Sequence, residues 1–259
     1  SMFKVFPTNY LAMKYSDDEG DNWSDLNIVS TFKPEESKFL VLGPGIGKQI
    51  TTGENAGRLI VPLYSKSSAE LGFMYSDDHG NSWNYVEADH NTGGATAEAQ
   101  IVEMPDGSLK TYLRTGSGYI AEVTSIDGGE TWSDRVPLTE IATTSYGTQL
   151  SVINYSQPID GKPAIILSAP NATNGRKIWI GLINETGQSG VNKYSVEWKY
   201  CYSVDTPQMG YSYSCLTELP DGKVGLLYEK YDSWSRNELH LKNILKYEKF
   251  TIDELKVQP

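Results

Sequence analysis

Ser76-Asp77-Asp78-His79-Gly80-Asn81-Ser82-Trp83 has two counterparts in the chain, Ser16-Asp17-Asp18-Glu19-Gly20-Asp21-Asn22-Trp23 upstream and Ser125-Ile126-Asp127-Gly128-Gly129-Glu130-Thr131-Trp132 downstream. All three read S-x-D-x-G-x-x-W. A short carboxylate can accept backbone N–H groups inside a tight turn, glycine supplies a positive φ, and tryptophan folds back over the hairpin base as an apolar anchor. Between these turns run short alternating or apolar segments bounded by Gly, Asn, Asp and Pro, such as Arg58-Leu59-Ile60-Val61-Pro62-Leu63-Tyr64, Ala164-Ile165-Ile166-Leu167 and Val224-Gly225-Leu226-Leu227-Tyr228. That pattern is β throughout. Only the tail, about Lys242 to Leu255, has room for a short helix.

A second repeat pairs Glu103-Met104-Pro105-Asp106-Gly107 with Glu218-Leu219-Pro220-Asp221-Gly222, where Pro-Asp-Gly turns one strand into the next. The offset between the two copies, carried outward, superposes Glu98 on Tyr213 and Arg114 on Glu229. Gly57-Arg58-Leu59 leads into an apolar strand in the same way and forms a weaker third copy. Strand-turn-strand units recurring at about 50 residues suggest radial blades of about four strands, the propeller arrangement.

With 259 residues, 39% of them hydrophobic, 24 Gly and 12 Pro, the composition suits a single turn-rich fold over residues 1–259. No apolar run approaches the roughly 20 residues that would span a bilayer, and the N-terminus SMFKVFPTNY lacks the zones of a signal peptide. The two cysteines, Cys201 and Cys215, are expected to be buried thiols. A net charge of −11, from 22 basic and 33 acidic residues, argues against nucleic acid and acidic lipid as partners. An anionic small substrate would need a local basic pocket.

Three S-x-D-x-G-x-x-W turns at this spacing resemble the Asp-boxes of the sialidase (neuraminidase) superfamily. The resemblance runs over nearly the whole chain and points to bacterial exo-α-sialidases of the streptococcal neuraminidase B and C type. It implies an all-β six-bladed β-propeller, with the boxes on its rim, so that Asp18, Asp78 and Asp127 are structural. It implies the site residue by residue. Glu98, in Gly93-Gly94-Ala95-Thr96-Ala97-Glu98-Ala99-Gln100, matches the catalytic Glu, and Arg114, in Tyr112-Leu113-Arg114-Thr115-Gly116, matches a carboxylate-binding arginine. Arg176, in Asn174-Gly175-Arg176-Lys177, matches another arginine of that triad. Tyr211-Ser212-Tyr213-Ser214-Cys215-Leu216 resembles the segment carrying a nucleophilic tyrosine, and Leu227-Tyr228-Glu229 a segment whose Glu braces the first triad arginine. Residues two apart in a strand share a face, which leaves Tyr211 and Tyr213 equivalent. The internal repeat selects Tyr213, the counterpart of Glu98.

This chemistry suits a sialoside. Guanidinium groups grip a carboxylate with paired donors, and a neutral phenol avoids the repulsion that a carboxylate nucleophile would meet at the anionic anomeric centre. A phenol of pKa about 10 needs a base, and Glu98 is the expected one. The implied substrates are sialylated glycans, with no cofactor, and the implied location is secreted or cell-surface. The motifs leave hydrolysis, intramolecular transfer and elimination open. Two family elements are missing: no Arg precedes Arg58 to serve as the first triad arginine, and no Asp precedes Asp17, which belongs to a box, to serve as acid/base. The N-terminal blade is therefore expected to be incomplete, with Ser1-Met2 reading as a scar and a second chain a possible source of the missing part. The rival reading is a non-catalytic Asp-box propeller that binds glycans or proteins.

Other features read as structural. Arg135 and Arg236 are expected at the surface, His79 in solvent, and His79, His90 and His240 have no metal-binding spacing. Gly43-Pro44-Gly45-Ile46-Gly47-Lys48 imitates a phosphate loop, but Gln49 stands where Ser or Thr is required. Asn154, Asn171 and Asn184 head glycosylation sequons. The tryptophans are expected to anchor blades, with Trp234 placed to touch a glycan.

Overall fold

A computed structural model describes residues 9–29, 39–65, 70–89, 97–171, 175–204, 210–231 and 243–257. Ser1, Met2, His90, residues 93–96 and 172–174, and the Trp234 loop with Arg236 and His240 lie outside them. The chain is all-β, as the sequence pattern requires. Strands β1 (Ala12–Met13) and β2 (Asn27–Ile28) form a hairpin around the first box. In the second sheet β3 (Leu40–Leu42) and β4 (Lys48–Gln49) both pair with β5 (Leu59–Ser65), followed by β6 (Leu71–Ser76) and β7 (Asn84–Asp89). The third sheet runs in sequence order through β8 (Ala99–Glu103), β9 (Leu109–Leu113), β10 (Tyr119–Ser125) and β11 (Val136–Ala142). The fourth holds β12 (Ser151–Ile159), β13 (Lys162–Pro170), β14 (Arg176–Glu185) and β15 (Tyr194–Ser203), and the fifth β16 (Gly210–Glu218), β17 (Val224–Tyr231) and β18 (Asn243–Phe250). Every pairing is antiparallel.

The tail departs from the sequence expectation. Most of it is β18, in unbroken register with β17 from Val224↔Phe250 to Tyr231↔Asn243, because the open edge of β17 offers hydrogen bonds that an isolated helix cannot match. Helix α1 (Ile252–Lys256) occupies only the end, capped by Thr251, whose hydroxyl accepts from the Glu254 N–H while the Glu254 carboxylate accepts from the Thr251 N–H.

The sheets stack face to face. Strands β8 and β9 are buried at every position because both faces are covered. On one side Ile101, Leu109, Leu113 and Val123 pack against Ile60 and Phe73 of the second sheet; on the other Val102, Tyr112 and Ile120 meet Val152, Leu167 and Trp179 of the fourth. The opposite face of the fourth sheet, with Ile166, Ile178 and Ile180, closes on Leu216, Leu226 and Phe250 of the fifth.

First strands of successive sheets lie side by side, yet among the described residues no backbone hydrogen bond joins β8 to β12 or β12 to β16. Buried side chains stand in for a ladder. Asn154 accepts from the Glu103 N–H at 2.9 Å and donates to the Glu103 carbonyl at 2.8 Å. Gln100 accepts from the Val152 N–H at 3.0 Å, and Ser151 from the Leu216 N–H at 2.9 Å. Gln149 accepts from the Ser214 N–H at 2.9 Å and donates to the Ser214 carbonyl at 3.0 Å.

The three boxes repeat one network. In the second, the Ser76 hydroxyl donates to Asp78 and accepts from the Gly80 N–H, Asp78 accepts from the N–H and hydroxyl of Ser82, and Trp83 Nε1 donates back to the Gly80 carbonyl. Positive φ falls on two consecutive residues, not on glycine alone: Glu19 and Gly20, His79 and Gly80, Gly128 and Gly129. The tryptophans differ. Trp132 stacks on Phe73 of the neighbouring sheet at 3.9 Å between centroids, whereas Trp23 is 61% exposed and its Nε1 donates to the Gly20 carbonyl of its own box at 3.0 Å. Arg58 is buried and joins two boxes, binding Asp77 through Nε and Nη2 at 2.7 and 2.9 Å and Glu130 through Nη2 at 3.0 Å, with its guanidinium over the Tyr75 ring.

The thiols also correct an expectation. Both are free, but Cys201 is only half-buried and Cys215 is exposed. Cys215 lies opposite Leu227, which lies opposite Tyr247, and this row faces outward from the fifth sheet.

Candidate active site

Strand register separates the two ends of the third sheet. Ser125, where the third box begins, pairs with Leu109 beside the Pro-Asp-Gly turn, while Ala99 and Ala121 pair with Leu113 at the other end. Glu98 and Arg114 flank that other end. The box and the turn lie at the opposite one.

Glu98 immediately precedes β8 and is 4% exposed. One carboxylate oxygen accepts from Arg114 Nη1 at 2.8 Å; the other accepts from the Tyr213 hydroxyl. Arg114 also donates through its N–H to the Glu98 carbonyl at 2.9 Å and through Nη2 to the Tyr146 carbonyl at 3.2 Å. Arg114, Glu98 and Tyr213 thus form one hydrogen-bonded chain across two sheets. Burial and the adjoining Glu98 carboxylate push the Tyr213 phenol up to about 12, with Arg114 opposing.

The hairpin that delivers Tyr213 carries a bulge. Tyr211 pairs with Lys230 and Ser214 with Tyr228, so Ser212 and Tyr213 together oppose Glu229. The alternation that made Tyr211 and Tyr213 equivalent is interrupted there. Side chains from three directions hold the bulge. Glu229 accepts from the Tyr213 N–H at 3.2 Å, Gln149 brackets Ser214, and Arg176 donates to the Ser212 carbonyl and, at 2.6 Å, to the Ser214 hydroxyl.

Arg176 is fully buried, and its Nη1 also donates to the Ser168 hydroxyl at 3.0 Å. Its Nη1 and Nη2 donors are engaged by the protein at the base of the Tyr213 strand, whereas Arg114 remains partly exposed. Glu229 touches the backbone of Tyr213. Of the five residues singled out in the sequence, Glu98, Arg114 and Tyr213 meet directly, and Arg176 and Glu229 reach the segment that carries Tyr213.

Tyr64 lies near the end of β5, in the apolar segment Arg58 to Tyr64. Burial raises its phenol, and the Glu98 carboxylate raises it further while Arg114 opposes, which places Tyr64 in the same electrostatic environment. No motif marks Tyr64 or Gln149; their roles come from sheets brought together in space.

Residues 4–226 match the family model of the BNR repeat-like domain, and the chain belongs to that family. Its relatives are sialidases. The chain is 84% identical over 258 residues to the anhydrosialidase of Macrobdella decora and 46% identical over 258 residues to Sialidase B of Streptococcus pneumoniae, in each case covering 98% of the chain. A solved structure of the intramolecular trans-sialidase from Ruminococcus gnavus in complex with oseltamivir carboxylate superposes with a TM-score of 0.92 at 87% identity, covering 99% of this chain and 53% of that one. The chain spans 34% and 35% of the length of the two curated relatives.

Proposed function

We propose that this chain is the larger part of a sialidase catalytic domain that cleaves terminal sialic acid residues from glycans through a tyrosyl-enzyme intermediate. The observation that carries the reading is the hydrogen bond from the Tyr213 hydroxyl to Glu98, with Arg114 on the other carboxylate oxygen. A binding module has no need of a phenol paired with a base.

In the first step Glu98 takes the phenolic proton as Tyr213 Oη bonds to the anomeric carbon and the glycosidic oxygen departs. A phenol held near 12 is protonated at neutral pH, so proton transfer accompanies attack. Arg114 supplies the accessible guanidinium for the sugar carboxylate. Arg176 contributes a buried positive charge behind the Tyr213 strand, and Glu229 orients that strand. In the second step a hydroxyl attacks the same carbon and gives its proton to the group that protonated the leaving oxygen, the phenolate leaves, and Glu98 returns the phenolic proton to it. The names of the two relatives above 80% identity favour a hydroxyl of the sugar itself as the attacking group, giving an anhydro sugar rather than free sialic acid.

The fold reading is a six-bladed propeller, residues 1–259 forming one catalytic unit that lacks its N-terminal segment. The first triad arginine and the acid that protonates the leaving oxygen would come from that segment, carried on the same protein or on a second chain. The outward row of Cys215, Leu227 and Tyr247 suits coverage by a further blade. Secretion or cell-surface display follows from the sialylated glycans proposed as substrates. Among the described residues no helix is long and apolar enough to cross a membrane.

The test is product analysis on a fluorogenic sialoside and on sialyllactose, using this chain alone and joined to the missing segment. The completed protein should release an anhydro sugar, and Tyr213→Phe should abolish the release. Sialoside left intact by the completed protein would refute the reading.

A further inference from the structure

We propose that Gln149 is a positioning residue for Tyr213, an inference that rests on Tyr213 being the nucleophile. At the two bulge residues and at Ser214 just after them, side chains supply hydrogen-bond partners: Arg176 for the Ser212 carbonyl, Glu229 for the Tyr213 N–H, Gln149 for both groups of Ser214. Of these three side chains Gln149, as Asn154 does for Glu103, saturates both the donor and the acceptor of one residue. It is 2% exposed and precedes β12, so it ties the Tyr213 segment to the fourth sheet rather than to its own hairpin.

This matters because the phenol must approach from the fifth sheet while its base is carried by the third. The fourth sheet lies between them. Asn154 and Gln100 fix β12 to β8, and Gln149 fixes the residues just before β12 to Ser214 beside Tyr213. The path from Glu98 to Tyr213 is therefore indexed through side-chain amides, of which Gln100 and Gln149 are buried. A two-bond amide clamp defines both the height and the tilt of the peptide following Tyr213, which one hydrogen bond would not do. Misplacement of a reacting group by about 1 Å can cost on the order of a hundredfold in rate.

The experiment uses the complete protein. Gln149→Met keeps the volume and removes both bonds. It should lower kcat by about 10- to 100-fold with KM changed less than about threefold, because Arg114 still holds the substrate carboxylate. The rate of covalent labelling by 2,3-difluorosialic acid should fall in parallel. Ser151→Ala removes the neighbouring bond to Leu216 and is the control: it should lower the unfolding midpoint and leave kcat within about twofold. Gln149→Glu, which keeps the acceptor for the Ser214 N–H and sets a second acceptor against its carbonyl, should also lower kcat and serves if Gln149→Met does not fold.

Loss of turnover in Tyr213→Phe together with near-wild-type kcat in a folded Gln149 variant would overturn the positioning role alone. Equal losses of kcat in the Gln149 and Ser151 variants would overturn it too, since the effect would then be one of stability. Wild-type turnover in Tyr213→Phe would remove the nucleophile and the positioning role together.

Discussion

Glu103 and Glu218 fill the same place in the two Pro-Asp-Gly hairpins, and each closes a junction with an earlier sheet. Glu103 accepts from the N–H and hydroxyl groups of both Thr51 and Thr52; Glu218 accepts from the N–H and hydroxyl of Ser156. Burial would raise the Glu103 carboxyl, but the bonds from Thr52 and Thr51 hold it below its ordinary value. The repeated Glu is therefore an intersheet clamp, a role that the turn motif alone does not announce.

Removing the enclosed clamp should cost more than removing the open one. Glu103→Ala is expected to destabilise the protein by about 2–3 kcal/mol, since it strands several donors, and Glu218→Ala by less than about 1 kcal/mol. Urea unfolding of the two variants checks the order; equal losses would contradict it.

Glu98→Gln should lower kcat of the completed protein by about 10²- to 10⁴-fold, the usual contribution of a general base. It should also shift the Tyr213 phenol downward from about 12, because the carboxylate that disfavours the phenolate is gone. Steady-state rates and NMR titration of labelled tyrosines read the two effects separately.

Asp78 is held at about 2 against an ordinary 3.8, first by the Ser82 hydroxyl and backbone. The folded value is depressed, so its contribution is complete above the ordinary carboxylate pKa and disappears as pH falls from about 4 towards 2. Asp78→Asn should flatten the acid-unfolding curve in that window and leave sialoside turnover unchanged. A change in turnover would contradict the remote placement of the boxes.

The box turns offer a backbone test. His79 carries φ 57, where the third box has Gly128. His79→Gly relieves the left-handed cost and adds unfolded-state freedom, for a net gain of up to about 1 kcal/mol. Gly129→Ala should be destabilising, because φ is +93 and a Cβ would lie 2.3 Å from Ile60 Cδ1. Thermal unfolding checks both signs.

Much of the architecture was legible because the boxes and Pro-Asp-Gly turns are local, with every group of the network within a few residues. Glu98 and Arg114 were legible for a related reason: they flank one hairpin, and its second copy indicated Tyr213. Gln149 could not be found this way, since its partner Ser214 is 65 residues distant and the bond depends on how two sheets abut. Tyr64 looked like one more residue of an apolar strand. The bulge was hidden because Tyr211-Ser212-Tyr213 reads as plain alternation, and β18 was hidden because neither of its faces is uniformly apolar: Leu245 and Tyr247 are exposed, while Lys246 and Glu248 lie on the more buried side.

Amides and hydroxyls bridge the first strands where a continuous ladder would otherwise run, so among the described residues β8, β12 and β16 share no main-chain seam. Each sheet keeps its own backbone bonding intact if a neighbour is removed, displaced or supplied by another polypeptide. Such joints make the assembly modular in the mechanical sense, and insertions between sheets leave every ladder whole as long as the apolar faces stay packed.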